Sequence, residues 1–361
     1  MSKYNQANER IKHKYRLFLK EAKQHSEASL DAANKAIARF EDYNKNKDFK
    51  RFHVQQAVGF KKHLFKQKSE LTEKPLSKAT LNSSLRHLKA FFEWLSREPG
   101  YKSSINYSDA EYFHLSEKDT RIATAKRLKP VPTMEQIKHV IAQMPIRTDI
   151  EKRDRALIAF AIATGARDKA ITTIKLKHLD LANNCLHQDA REVATKFSKT
   201  FDTFFFPVGD EIIEMIADWV EYLLTEKHWG DDDPLFPSTE TGLGESRRLE
   251  VIGMKREHWR NAGPIRRIFR VAFSNAGLAY YNPHSFRNTL AGLGEKLCRS
   301  PEEFKAWSQN LGHEQVMTTF SSYGEVPVVR QAELIRRTKV NCVATDTGEL
   351  LSEIRRLINS R

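Results

Sequence analysis

The chain has 361 residues but no uninterrupted apolar run near the ~20 residues that a membrane-spanning helix needs. It begins MSKYNQANERIKHKYR, without the apolar stretch of a secretion signal, so a cytosolic protein with no membrane partner is expected. Cysteine is scarce. Cys185, Cys298 and Cys342 are odd in number and far apart, which argues against a disulfide framework and spells no zinc pair. Asp231, Asp232 and Asp233 are three adjacent loop aspartates and read as solvated rather than metal-ligating. No metal or cofactor is expected. There is no internal repeat and no low-complexity tract.

What the chain has in excess is positive charge. Lys plus Arg number 60 against 46 Asp plus Glu, a formal charge of +14. The excess is unevenly placed. Residues 1–130 carry 28 basic and 15 acidic side chains, whereas residues 131–361 carry 32 and 31. A basic N-terminal third beside a near-neutral remainder is the charge footprint of a nucleic-acid-binding protein.

Apolar residues recur at helical spacing over 14–22, 28–43 and 53–68. Pro75 breaks the pattern, and Ser77 is placed to cap a helix whose stripe is Leu81, Leu85, Leu88, Phe91, Phe92 and Leu95. This predicts about four helices over residues 1–114, with Lys61, Lys62, Lys66, Lys68, Arg86 and Lys89 on their polar faces, able to grip phosphates without reading bases. Residues 115–132 are polar, basic and proline-bearing and read as a linker. Thr133 is placed to cap the next helix. The segment ending RALIAFAIAT is apolar nearly all round and should be buried. Thr, Val and Phe between 192 and 207 predict a β-hairpin turning near Ser198 and Lys199, flanked by Lys196. Residues 209–226 predict an acidic amphipathic helix, 240–245 a glycine-rich loop, and 327–338 and 347–359 two late helices.

Two stretches carry chemistry. In Thr164-Gly165-Ala166-Arg167, an arginine stands where one buried helix ends and another begins, which requires a charge partner or an anion. In Asn282-Pro283-His284-Ser285-Phe286-Arg287, Asn282 and Pro283 fit the N-cap and first position of a helix. That places His284 and Arg287 three apart on one face, at the helix end that favours anions. Leu311-Gly312-His313 and then Tyr323 follow.

Arg167, a hairpin lysine, His284-x-x-Arg287, Leu311-Gly312-His313 and Tyr323, in that order, resemble the tyrosine recombinase family, also called phage integrases. ATGAR, NPHSFRNTLAG and LGHEQVMTTFSSYGEV resemble its two arginine boxes and its closing His–Tyr box. There are departures. Ala170 stands where the family usually has an acid three residues after the first arginine, with Asp168 as a substitute. Tyr323 follows His313 by ten residues, where nine is usual. Thr195-Lys196 fits the family's lysine position better than Lys199 does.

The resemblance implies a mainly α fold with a small β-sheet or hairpin. It implies a helical, SAM-like core-binding domain over 1–114, a mixed α+β catalytic domain over 133–340 and a tail helix over 341–361. It also implies a site-specific recombinase or integrase working without metal or ATP, serving a mobile element or phage, as a homo-tetramer on two DNA duplexes, with accessory directionality factors possible partners. The expected catalytic set is Arg167, Lys196, His284, Arg287, His313 and Tyr323. The residue types suit phosphodiester cleavage. A phenol with an ordinary pKa of about 10 needs help to attack. Two guanidinium forks can hold non-bridging oxygens, and two histidines can share protons with the phosphate and the nucleophile. The resemblance assigns Lys196 the protonation of the leaving 5′-oxygen. A type IB topoisomerase-like relaxing enzyme and an inactive DNA-binding regulator on the same fold are the alternatives.

Overall fold

A computed structural model describes residues 4–69, 73–125, 130–243 and 249–313, together with Gln331 and Glu333. Tyr323, Cys342, the helix expected over 347–359 and, apart from Gln331 and Glu333, the helix expected over 327–338 lie outside the described residues. The chain divides between Lys126 and Arg127 into two compact units. The fold is mostly helical with two small antiparallel sheets, the mainly α, two-unit class that the periodicity and the resemblance imply.

The first unit consists of α1 (Gln6–Leu17, continued by a π-turn over Phe18–Ala22), α2 (Glu27–Asn44), α3 (Val54–Lys66), α4 (Lys78–Leu95) and α5 (Glu117–Thr124). The Ser77 hydroxyl accepts the Thr80 N–H and starts α4. The α4 stripe meets a core of phenylalanines: Phe40, Phe49, Phe60, Phe91, Phe92 and Phe113 are all fully buried. Phe52 stacks on Phe92 at 4.0 Å between centroids. The linker expectation is corrected in its first half. Ser116 accepts the Asp119 N–H and starts α5, which no apolar stripe announces. Of the six polar-face cations, Lys62, Lys66, Lys68 and Arg86 are exposed. Lys89 is paired with Glu111 at 2.8 Å.

The second unit begins with α6 (Met134–Gln143), opened by a capping box in which the Thr133 hydroxyl accepts from Gln136 and the Gln136 side chain accepts from Thr133. Next comes α7 (Asp149–Thr164), whose residues from Ala156 to Thr164 are all buried. It is the central helix of the core, packing on α6, on α9 (Asp210–Thr225) and on α11 (Pro283–Leu297). Gly165, in the left-handed region at φ 59°, ends α7. The helix expected after it is only one turn, α8 (Asp168–Ile171), before a 3-10 turn at Leu176–His178. Then β1 (Leu179–Asp180), β2 (Cys185–Gln188) and β3 (Phe201–Phe204) form an antiparallel sheet in that order.

The expected hairpin over 192–207 is therefore displaced: its first strand is 185–188, and residues 189–200 form a long loop. Local polar bonds outcompete strand pairing there. Asp189 accepts the Arg191 N–H and its guanidinium. Thr173 takes the Ala194 N–H and Thr200 the Ala190 N–H, while Val193 plugs the core. The loop expected at 240–245 is also corrected. β4 (Ser238–Leu243) pairs with β5 (Leu249–Lys255). The glycines and charges that read as a loop are tolerated because this hairpin has exposed positions, such as Val251 and Ile252, rather than a buried alternating face. α10 (Gly263–Asn275), α11 and α12 (Pro301–Asn310) complete the described chain. Two of the three aspartates are not simply solvated. Asp233 pairs with Arg256, and Asp232 pairs with Lys175 and Lys177.

Candidate active site

Arg287 lies on the second turn of α11, which starts as its sequence predicts: the Asn282 side chain accepts the Ser285 N–H, and Pro283 occupies the first helical position. The side chain is 4% exposed. Its two terminal nitrogens donate to the Gly165 and Leu311 carbonyls, and one also lies 3.1 Å from His313 Nε2. These bonds tie the end of α7 to the end of α12. The close approach depends on two glycines. A Cβ on Gly165 would lie 3.0 Å from Leu290 and 3.1 Å from Leu311. A Cβ on Gly312, at φ 67°, would meet the Phe201 ring at 2.6 Å.

Arg167 sits at the N-cap position of α8 and is half-buried. Asp168 does not support it. The Asp168 carboxylate instead accepts from Arg266 on α10 at 2.7 Å. The Arg167 guanidinium has no hydrogen-bond or ion-pair partner among the described residues, and Ala170, at the position where the family usually has an acid, is buried and apolar. Burial, and for Arg287 also the neighbouring Arg167 charge, works against both guanidinium ions. Arginine nevertheless stays protonated at neutral pH.

The two histidines feel the same field. The His313 imidazole is pushed down to about 4, by burial first, then by the charges of Arg287, Arg167, His284 and Lys196. His284 keeps more than a third of its surface exposed. It is lowered by partial desolvation of the ring, then by Arg287 and Arg167, with Asp168 opposing. Both are neutral at pH 7, so each ring can donate one hydrogen bond and accept another.

The structure thus brings Arg167, His284, Arg287 and His313 together, with the charge of Lys196 reaching both rings. Tyr323 lies outside the described residues. Lys196 is exposed on the 189–200 loop, its ammonium 4.7 Å from the exposed Phe197 ring. Phe197 and Ser198 both have positive φ, and the Thr195 hydroxyl donates to the Lys199 carbonyl across this turn. The base of the loop is braced by Glu192, which pairs with Lys175 at 3.0 Å and Lys177 at 2.9 Å.

Sequence reasoning missed Asn310. Its side chain accepts the Phe204 N–H at 2.7 Å and donates to the Phe204 carbonyl at 2.8 Å. It pairs with the edge of β3 as another strand would, and so fixes the turn that carries His313. An amide side chain just before a helix-ending Leu-Gly is the one signal that could have raised it. Chemically, the arrangement suits an oxyanion held between two guanidinium groups, with neutral imidazoles beside it.

The Phage integrase family pattern matches residues 131–327. The tyrosine recombinase XerC of Halalkalibacterium halodurans is 22% identical over 312 residues, spanning 84% of this chain and 88% of that protein. Lambda integrase residues 75–356, solved as a dimer bound to a COC′ core site, share the fold with a TM-score of 0.60 at 13% identity, over 89% of this chain and 99% of that one. A lambda integrase tetramer bound to a Holliday junction aligns with a TM-score of 0.56 at 14% identity, over 91% of this chain and 81% of that one. Among the described residues no helix is long and apolar enough to cross a membrane. With the family pattern covering more than half of its length, this chain belongs to the phage integrase family and is a tyrosine-type, site-specific DNA recombinase.

Proposed function

We propose that this chain cuts and rejoins duplex DNA at a specific recombination site through a 3′-phosphotyrosyl intermediate. Tyr323 attacks the scissile phosphorus, and the 5′-oxygen leaves. Arg167 and Arg287 hold the non-bridging oxygens and offset the charge that builds there. His284 shares the phenol's proton, and His313 hydrogen-bonds the phosphate. Lys196, carried on the 189–200 loop, gives its proton to the leaving 5′-oxygen. The ester keeps the energy of the broken bond, so a second 5′-hydroxyl reverses the step on a new partner.

One observation carries this reading: Arg167 and Arg287 are neighbouring, desolvated cations with no acidic side chain paired to either among the described residues. Such a pair is costly by itself and favourable around an anion. The basic residues 1–114 serve as a clamp on the flanking duplex, residues 133–340 as the catalytic domain, and residues 341–361 as a C-terminal tail. The active species is a tetramer on two duplexes, working in the cytosol, with accessory proteins setting direction. The likeness to lambda integrase assemblies on DNA supports the DNA partner and the multimer.

The test is a nicked duplex carrying the cognate site, on which the cleaved strand cannot be religated. The full chain should form a covalent adduct that survives denaturation, and Tyr323→Phe should bind the duplex without forming it. Adduct formation by Tyr323→Phe at the normal level removes the nucleophile assignment.

A further inference from the structure

One cluster has no part in strand cleavage. Asp180 on β1 lies opposite Cys185 on β2, and His187 on β2 lies opposite Asp202 on β3. Residues 185 and 187 are two apart on one strand, so they share a sheet face with Asp202. The Cys185 sulfur, a His187 ring nitrogen and an Asp202 carboxylate oxygen all lie within 4.8 Å of one another, the one such group of three among the described residues. Cys185 is 3% exposed, whereas His187 and Asp202 are exposed. His187 Nδ1 is 2.8 Å from Asp202 Oδ1. The other side of the sheet faces the core through Leu186, Gln188 and Thr203.

We propose that this sheet face binds a zinc-class divalent ion through the Cys185 thiolate, the His187 imidazole and the Asp202 carboxylate, with water as the fourth ligand. A sulfur–nitrogen–oxygen donor set suits Zn2+ over the hard ions Mg2+ and Ca2+. Metal–ligand bonds of about 2.0–2.3 Å require ligand atoms roughly 3.3–3.7 Å apart in a tetrahedron. Closing from 4.8 Å therefore takes movements on the order of 1 Å, which the exposed His187 and Asp202 side chains can make without disturbing the core. The His187–Asp202 hydrogen bond is exchanged for two metal bonds. The Cys185 thiol passes its proton to solvent as the sulfur–metal bond forms. The carboxylates of Asp202 and Asp180 set a negative field that favours the cation.

The position has a consequence. The last pair of the ladder is Gln188 with Phe201, and the next is His187 with Asp202. A metal there clips β2 to β3 directly beneath the mouth of the 189–200 loop. It acts as a positioning device for that loop, whatever role Lys196 has.

The experiment uses the tag-free full chain, stripped with chelator and titrated with Co2+ and Zn2+. One Co2+ per chain should bind with a thiolate-to-cobalt charge-transfer absorption. Cys185→Ser should lose that absorption, whereas Cys298→Ser and Cys342→Ser should keep it. Cys185 is buried and its replacement can harm folding, so two exposed ligands supply independent variants. Asp202→Asn and His187→Gln should each bind Zn2+ at least about tenfold more weakly. Zn2+ should also slow backbone hydrogen exchange across 189–200 in the parent chain and not in Asp202→Asn. No saturable Co2+ binding, or an absorption that persists in Cys185→Ser, overturns the site. Unchanged Zn2+ affinity in both Asp202→Asn and His187→Gln does the same, and leaves their contact a simple cross-strand pair. None of these readouts involves DNA, so the result stands apart from the strand-transfer reading.

Discussion

Arg287 and Lys196 bring like charges to one site, yet the fold holds them by opposite means. Arg287 is 4% exposed and bonded to the ends of two helices. Lys196 stands in solvent on a twelve-residue loop, beside two residues with positive φ. The arginine is part of the packing, and its geometry is set before any ligand arrives. The lysine is placed only as well as its loop is placed. A group that must hold a phosphate through the whole reaction suits the first arrangement. A group that must approach one oxygen and then withdraw suits the second.

The largest expected effect tests the rigid half. Arg287→Lys keeps the charge but cannot reach the Gly165 and Leu311 carbonyls together. Cleavage should fall by roughly 10³ or more. Stability should also fall, by about 1–3 kcal/mol for each carbonyl left buried and unpaired. Arg167→Lys should lose comparable activity with little change in unfolding midpoint, since the Arg167 guanidinium bonds to nothing among the described residues. Chemical denaturation beside single-turnover cleavage separates the two. Equal stability losses in both variants would mean that Arg167 is also structural.

The next effect tests the solvent-borne half. Lys196→Ala should slow cleavage by about 10²–10⁴ with no loss of stability. A substrate with sulfur at the 5′-bridging position has a better leaving group and should restore that variant while leaving Arg287→Lys slow. If Lys199→Ala is the variant rescued, the proton donor sits three residues further along. Glu192→Ala, which removes the brace on Lys175 and Lys177, should give a smaller effect that the sulfur substrate also repairs.

The same division explains what can be read from the sequence. Arg167, His284, Arg287 and His313 are legible because each sits at a helix end marked by its own punctuation: Gly165, the Asn282-Pro283 start, Leu311-Gly312. Local signals of that kind survive in one dimension. The 189–200 loop reads as a strand because Val193, Thr195 and Phe197 have β propensity, and nothing local says that Thr173 will take the Ala194 N–H or that Glu192 will pair with Lys175 and Lys177. Asn310, the Asp168–Arg266 pair and the Cys185–His187–Asp202 cluster depend on contacts between elements. Cys185 and His187 are two residues apart, but the third ligand is fifteen further on in an opposing strand, and only the register brings it near. The lack of a zinc-spaced cysteine pair says nothing about a mixed ligand set of this kind.

A smaller effect tests the first unit. Lys62 and Lys66 are exposed, whereas Lys89 is tied to Glu111. If α3 lies on the duplex, replacing Lys62 and Lys66 by Gln should make the slope of log affinity against log salt shallower by about 0.9 for each phosphate no longer neutralised. Cleavage at saturating DNA should be unchanged. Lys89→Gln should change neither. A salt titration of the three proteins on one duplex decides it, and an unchanged slope in the double variant moves the clamp surface off α3.

The smallest effect concerns the histidines. The folded chain holds His313 near 4 and lowers His284 as well, while in the unfolded chain both titrate near 6.5. Between those values the unfolded chain binds more protons than the folded one. Stability from this source is therefore fully present above about pH 6.5 and is lost as the pH falls toward 4. Other groups titrate over the same range, so the comparison that isolates the site is the parent chain against His313→Gln. The variant's unfolding midpoint should fall less between pH 7 and pH 5, by about 2 °C or less because the ring is only partly buried. Adding the cognate duplex should flatten the parent chain's profile too, since a phosphate between Arg167 and Arg287 offsets the positive field that holds the imidazole neutral. A parent chain and variant with parallel pH profiles, with and without DNA, would show that the arginines do not set the protonation of His313. The site would then have to be assembled differently around the phosphate.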